Sequence, residues 1–311
     1  MSVVSTAEAV YLVLAMEIRE SKKKTPYASL MLRSGEGDLQ GRIWESGIHL
    51  CQNVAVGDVV KVVGQLQIYN GVRQVIIEAI ERVPDPSPYM PQFAPRPQVD
   101  PDESLAKIRG LMDKIADPGL RGLLNRVFVS DEGMIERLKR GWGGASVHHA
   151  WPGGLLAHLA EVGALVDSAA QHLADLDREV ALTGALIHDL SKMGEYVYDP
   201  AQGKVLVAEE TALLGHVHQA VAFVYQLLEQ CSDLGADVKK HLLHIVASHH
   251  ETIEWGALAQ PHTPEAALVA TMDRLSAHLC IMKQARDATV GNVRFTPHEP
   301  HLGSRVWIPT K

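Results

Sequence analysis

The chain has 311 residues, 46% of them apolar and 21% charged, and carries a formal net charge of −8. There is room for a sizeable core and two domains, while the acidic balance excludes a whole-protein basic field and leaves only a local groove for any nucleic-acid binding. Three scattered cysteines (Cys51, Cys231, Cys280) offer no CxxC pair, so they suggest neither a disulfide framework nor a thiolate zinc site and fit a cytoplasmic protein.

The apolar run from Ala9 to Met16 is too short to span a membrane and lacks the preceding basic residues of a signal peptide, so no membrane partner is expected. It opens a series of strand-like segments between residues 10 and 83. VYLVLAMEI is β-branched and apolar, and ASLMLRS alternates. LQGRIW, DVVKVVGQLQIY and RQVIIEAIERV follow, with Asn70–Gly71 as a hairpin signal. About five strands in so short a stretch predict a small closed barrel of the oligonucleotide-binding (OB) type over residues 1–83. Tyr27, Arg33, Arg42, Trp44, Tyr69 and Arg73 lie in these strands. A surface mixing aromatics with cations suits the stacked bases and phosphates of a single strand, although packing aromatics and ordinary surface cations give the same composition. The basic run Lys22–Lys24 reads as a solvated turn.

Residues 84–101 contain seven of the sixteen prolines, which predicts an extended, semi-rigid linker free of helix. Helical periodicity follows over 103–116, 119–128 and 131–140, with Ser104 and Ser130 as caps. A Gly-rich loop bearing His148, His149 and Trp151 leads into a long helix from about Gly154 that carries His158. A helix over 180–190 ends in His188–Asp189, residues 195–207 read as a short hairpin, and further helices are predicted at 209–230, 236–249 and 264–286. The helical domain therefore covers 102–289, and 290–311, with Pro297, Pro300 and Pro309, reads as an irregular tail.

Most of the 16 histidines fall after residue 147. An imidazole beside a carboxylate in the apolar stretch GALIHDLSK is costly to bury unless something compensates it, and a divalent metal compensates both. His158, His188, Asp189, His216, His249, His250 and Asp273 each sit on or at the end of a predicted helix, and a helical bundle can point such groups at one place. His158, His188 and Asp273 would complete one site and His216, His249 and His250 a second, with Asp189 shared. Imidazole with carboxylate and no thiolate suits two divalent ions of Mn, Fe, Co, Ni or Zn. Read individually, these are ordinary histidines satisfied by hydrogen bonds, as His172, His218, His241, His244, His262 and His278 are expected to be.

HDLSK with upstream GGLLAH, the stretch ASHHETIEWG and the later TMDRLSA resemble the HD-domain metal-dependent phosphohydrolases. The resemblance implies His158 as first ligand, His188–Asp189 as the doublet, Asp273 as the closing carboxylate, and His216 with His249–His250 as the mark of a binuclear branch. The longer pattern HHAWPGGLLAH, with SHHETIEWG and an OB-like barrel in front, is similar to the YhaM-type 3′-to-5′ exoribonucleases over about residues 10–285. Ser191 stands where that family commonly has Gly, a change that removes no ligand.

The fold expected is thus a multi-domain α and β protein, a five-stranded OB-like barrel followed by an all-α HD bundle. The activity implied is 3′-to-5′ hydrolysis of single-stranded RNA, with single-stranded DNA as a further candidate, and a homo-oligomer is left open. Two metals would lower the pKa of a bridging water, hold the hydroxide in line with phosphorus and neutralise charge on the phosphate oxygens. Asp189 and Lys192 would act at that centre, with Lys192 reaching a phosphate oxygen if it is not simply a surface lysine. Of His148 and His149, one would contact the scissile phosphate or protonate the leaving oxygen; the resemblance favours His149 for catalysis and leaves His148 to substrate binding. Arg274 would orient Asp273 or bind phosphate, or form an ordinary helix salt bridge. The rivals are an HD hydrolase of a small, cyclic or linear, nucleotide and a non-catalytic nucleic-acid-binding protein.

Overall fold

The computed structural model describes residues 3–21, 23–200, 202–291 and 293–309; Lys22 of the basic turn lies outside them. The chain divides into two compact units. The first takes residues through Ala94, Tyr198–Val205 and the chain from Ile281 on; the second takes Pro95–Val197 and Leu206–Cys280.

Five strands of the first unit, β1 (Val3–Glu20), β2 (Pro26–Ser34), β3 (Gly37–Trp44), β4 (Val59–Tyr69) and β5 (Val72–Arg82), close a barrel in the order β1-β2-β3-β5-β4. Alternation sets the inside: Ala28, Leu30 and Leu32 of β2 and Ile43 of β3 are fully or almost fully buried, and the residues between them face out. The β4–β5 turn has Asn70 (φ 50°) and Gly71 (φ 79°) both left-handed, as an Asn-Gly hairpin requires. A bulge at Val63/Gly64 bends β4 where a side chain at Gly64 would run into the Ile76 carbonyl.

The proline-rich stretch departs from a helix-free linker. One helical turn, α1 (Met90–Phe93), forms with Pro91 in its first turn, where a missing N–H costs nothing, and Phe93 is buried with Leu12 and Val59.

Six of the helical segments of the second unit run α2 (Pro101–Met112), α3 (Pro118–Asn125), α4 (Glu132–Arg140), α5 (Gly154–Ala170), α6 (Arg178–Ile187) and a 3-10 turn at Leu190–Gly194. The caps differ from the serines expected. Asp100 accepts from the Asp102 N–H with Pro101 at the first helical position, and Asp131 accepts from Met134; Ser104 lies inside α2 and Ser130 in a π-turn, Arg126–Ser130. Carboxylates at N-caps also meet the positive helix end.

The hairpin is β6 (Tyr196–Asp199) and β7 (Lys204–Val207). Its tip belongs to the barrel's unit, where Tyr198 donates to the Phe93 carbonyl (3.2 Å) and Arg33 to the Gly203 carbonyl (2.9 Å). The expected single helix over 209–230 is two, α7 (Glu209–Leu214) and α8 (His216–Glu229), broken at Gly215 with φ 79° and ψ 145°. Then come α9 (Ala236–Ser248) and α10 (Pro264–Asp287). The tail is not irregular throughout: β8 (Phe295–Glu299) and β9 (Ser304–Trp307) pair, with Pro297 at a register shift that spares a ladder hydrogen bond. Among the described residues no helix is long and apolar enough to cross a membrane.

Candidate metal centre

Small residues let the helices of the second unit approach closely enough to juxtapose their histidines. A methyl at Gly163 of α5 would stand 2.9 Å from Leu186 of α6, and one at Gly184 of α6 would stand 2.8 Å from Ile245 of α9. With those contacts made, the ring of His158 is 5.4 Å from that of His188, and His188 is 5.1 Å from His249. Asp177 caps α6 through the Glu179 and Val180 N–H groups and so helps fix the helix that ends at the His188–Asp189 doublet.

Two ligand groups result, His158, His188, Asp189 and Asp273 in one and His216, His249 and His250 in the other. His158 Nε2 lies 3.0 Å from Asp273 Oδ1, and His158 and His188 Nε2 each lie 3.5 Å from Asp189 Oδ2. The other oxygen of Asp189 is 3.5 Å from His249 Nε2, so one carboxylate faces both groups. His216 Nε2 and His250 Nε2 are 3.2 Å apart, close to the ~3.3 Å separating two nitrogens in one ion's tetrahedral shell.

The outer nitrogens are occupied. His188, His249 and His250 donate from Nδ1 to the carbonyls of Ala185 (2.8 Å), Val246 (2.6 Å) and Trp255 (2.7 Å), and His158 Nδ1 pairs with the Ser276 hydroxyl at 3.2 Å. The carbonyl bonds leave the Nε2 lone pairs of those three rings facing the centre, the arrangement that orients metal ligands. Ser191 donates to the carbonyl of His216 (3.4 Å), tying a second ligand helix to the doublet's turn.

The residues fit divalent ions. Nε2 of His158, His188 and His249 and Oδ1 of Asp189 are buried with no hydrogen-bond partner, a state that is costly unless something takes up those lone pairs. Burial, with Lys192 adding to it, pushes His216 down to about 2; burial and the neighbouring His249 push His250 down to about 4. Both imidazoles are therefore neutral, as ligands must be. For Asp189 burial alone would favour the neutral acid, but Lys192 and His188 outweigh it and hold the carboxyl well below its ordinary value.

Lys192 is not a surface lysine: it is 5% exposed, its Nζ is 2.7 Å from Asp189 Oδ2, and it lines a cavity of about 360 Å³. His148, His216, His249, His250, Asp273 and Arg274 line the same cavity. The loop that brings His148 there is glycine-rich because its strands of backbone touch. Gly143 N–H donates to the His149 carbonyl (3.0 Å), a side chain at Gly154 would run into that same carbonyl, and His149 takes φ 50°.

His149 itself points elsewhere: it is buried, absent from the cavity wall, and pairs with Glu161 at 3.2 Å. Burial works against a charge on it, yet the Cys280 and Glu161 contacts outweigh this and raise it to about 9. His148, pushed down to about 3 by burial and then by Lys192, is a neutral imidazole at the cavity. Arg274, which lines the cavity, donates to Glu251 at 2.6 Å.

Residues that motif reading passed over are Glu161, Ser276, Tyr196, Glu251 and Trp255. Glu161 and Ser276 stand one helical turn beyond His158 and Asp273, so a search at helical spacing would have found them. Glu251 and Trp255 sit within the motif SHHETIEWG itself.

On the barrel, Tyr27, Arg42 and Trp44 gather on the outer face of β2 and β3. The Tyr27 and Trp44 rings are 5.6 Å apart, the Arg42 guanidinium is 5.1 Å from the Tyr27 ring, and Trp44 is 43% exposed. Arg33, at the other end of β2, is held by Asp38 (2.7 Å). Tyr69 and Arg73 lie at the β4–β5 hairpin, and Arg42 donates to Gln74, the residue after Arg73, at 2.8 Å.

Residues 155–278 match the family model of the HD domain. The chain is also similar to proteins named 3′-5′ exoribonuclease YhaM. It is 25% identical to that of Bacillus subtilis (strain 168) over 263 residues, 84% of this chain and 81% of the relative. To that of Bacillus pumilus it is 25% identical over 270 residues, with the same shares covered. The match to the HD-domain model falls in the helical unit, and the ligand-like histidines and aspartates at residues 158, 188, 189, 216, 249, 250 and 273 all lie within the matched residues.

Proposed function

We propose that the protein is a metal-dependent phosphodiesterase that removes nucleotides from the 3′ end of single-stranded RNA, with single-stranded DNA as a second substrate. The observation that carries this reading is the convergence of unpaired imidazole and carboxylate atoms beside one concave cavity, together with relatives named 3′-5′ exoribonuclease over most of the chain. His158, His188, Asp189 and Asp273 would hold one divalent ion and His216, His249 and His250 a second, with Asp189 between them. Bound there, the ions supply a water of lowered pKa and charge neutralisation for a phosphate.

The chain's own groups do the rest. Asp189 stays ionised through Lys192. That lysine keeps N–H donors for a phosphate oxygen in the cavity it lines. His148, neutral, offers an N–H to the same phosphate; His149, braced by Glu161, holds the loop that carries it. The cavity's size admits a strand end more readily than a strand's middle. The cluster of exposed Trp44 with half-buried Tyr27 and Arg42 supports the single-strand reading over the small-nucleotide rival, since stacking needs unpaired bases.

The test is a pair of RNAs incubated with Mn²⁺, one linear and labelled at its 5′ end, the other circular. Steady shortening of the first and survival of the second is expected. Cleavage of the circle at a comparable rate would make the protein an endonuclease and remove the argument from cavity size.

A further inference from the structure

Trp255 is an unusual residue to find at this cavity. It is 56% exposed and lines the cavity alongside His216, His249 and His250. An exposed tryptophan on a surface is ordinary; this one is fixed in place. Its carbonyl accepts from Nδ1 of His250, a metal-ligand candidate, at 2.7 Å. The segment between them is a tight turn, with Thr252 N–H donating to the His250 carbonyl (2.7 Å) and Trp255 N–H to the Thr252 carbonyl (3.1 Å). Glu251 and Gly256 take left-handed backbone conformations on either side. The indole is braced as well: the Arg274 guanidinium, tied to Glu251 at 2.6 Å, stands 5.8 Å from its ring. A cation over one face leaves the other for a second π-system.

We propose that Trp255 is a stacking platform for the base of the nucleotide whose phosphate lies at the ligand set. The proposal rests on the phosphodiesterase reading and adds what that reading does not contain, a base-binding subsite of the cavity. Because every base has a π-face, such a subsite demands a base without choosing its sequence.

The test uses the full chain loaded with Mn²⁺, as wild type, Trp255→Phe and Trp255→Ala. Calorimetric titration with adenosine 5′-monophosphate and with ribose 5-phosphate compares binding with and without a base. The wild type should prefer the nucleotide by roughly 5- to 150-fold. Trp255→Phe should keep most of that preference and Trp255→Ala should lose it, with ribose 5-phosphate bound alike by all three. A preference absent in the wild type, or intact in Trp255→Ala, overturns the platform. Oligoribonucleotides ending in an ordinary or an abasic 3′ nucleotide separate the two levels. If the wild type shortens neither, the phosphodiesterase reading falls and the subsite with it. Equal shortening of both leaves that reading standing and sinks the platform alone.

Discussion

Lys192→Met should separate the stability of the metal-free protein from its affinity for metal. The lysine is 5% exposed and its partner Asp189 is 1% exposed, with 2.7 Å between Nζ and Oδ2. Removing one member of a buried pair typically costs about 3–5 kcal/mol, because a charge is left uncompensated. The lower end applies here, since His188, whose Nε2 stands 3.5 Å from the carboxylate, is raised against the effect of its burial to about 10 by Asp189 and can carry a compensating proton in the metal-free protein. For a unit of this size about 3 kcal/mol corresponds to a melting point roughly 6–12 °C lower in chelator. Bound divalent ions compensate Asp189 themselves, so in saturating Mn²⁺ the variant should lose much less. The thermodynamic cycle then requires the variant to bind metal more tightly, by up to ~100-fold. Hydrolysis should nevertheless slow, because the phosphate loses a donor. Melting with and without Mn²⁺, and a metal titration, check all three terms. Equal destabilisation in both conditions, or weaker metal binding, would refute the charge-pairing argument.

Two further perturbations address the barrel and the helical core. Trp44→Ala should weaken single-stranded RNA binding by about 1–3 kcal/mol; Arg42→Ala should lower the salt slope of binding by about 0.7, both read by fluorescence anisotropy across a salt series. Asp167, buried and held by Lys114 (2.6 Å) and Arg178 (3.0 Å), has its pKa lowered from 3.8 because these cations outweigh the cost of burial. A carboxyl depressed in the folded state stabilises above its unfolded pKa and loses that contribution as pH falls through the folded value. The melting-point gap between wild type and Asp167→Asn should therefore be full at neutral pH and close below about pH 4; a gap that widens in acid would reverse the sign.

The barrel was legible because its signals are local: strict alternation in β2 and an Asn-Gly turn leave little freedom. The seven ligand candidates were legible because chemistry limits which side chains hold a metal. What could not be read was set by tertiary contact or by one conformational choice. The turn at Met90–Phe93 exists because Phe93 has a core to enter. Gly215 breaks a helix that periodicity alone would continue. Asp100 and Asp131 were available as caps, and proline next to Asp100 was the neglected clue. His148 and His149 are adjacent in sequence, and only the fold of their loop sends one to the cavity and the other to Glu161.

Metal content of protein purified without chelator, measured by elemental analysis on wild type, Asp189→Ala and His249→Ala, tests the central claim most directly. The shared carboxylate predicts two transition-metal ions per wild-type chain, none in Asp189→Ala, and loss confined mainly to the second ion in His249→Ala. A single ion per chain, unaffected by His249→Ala, would contradict it.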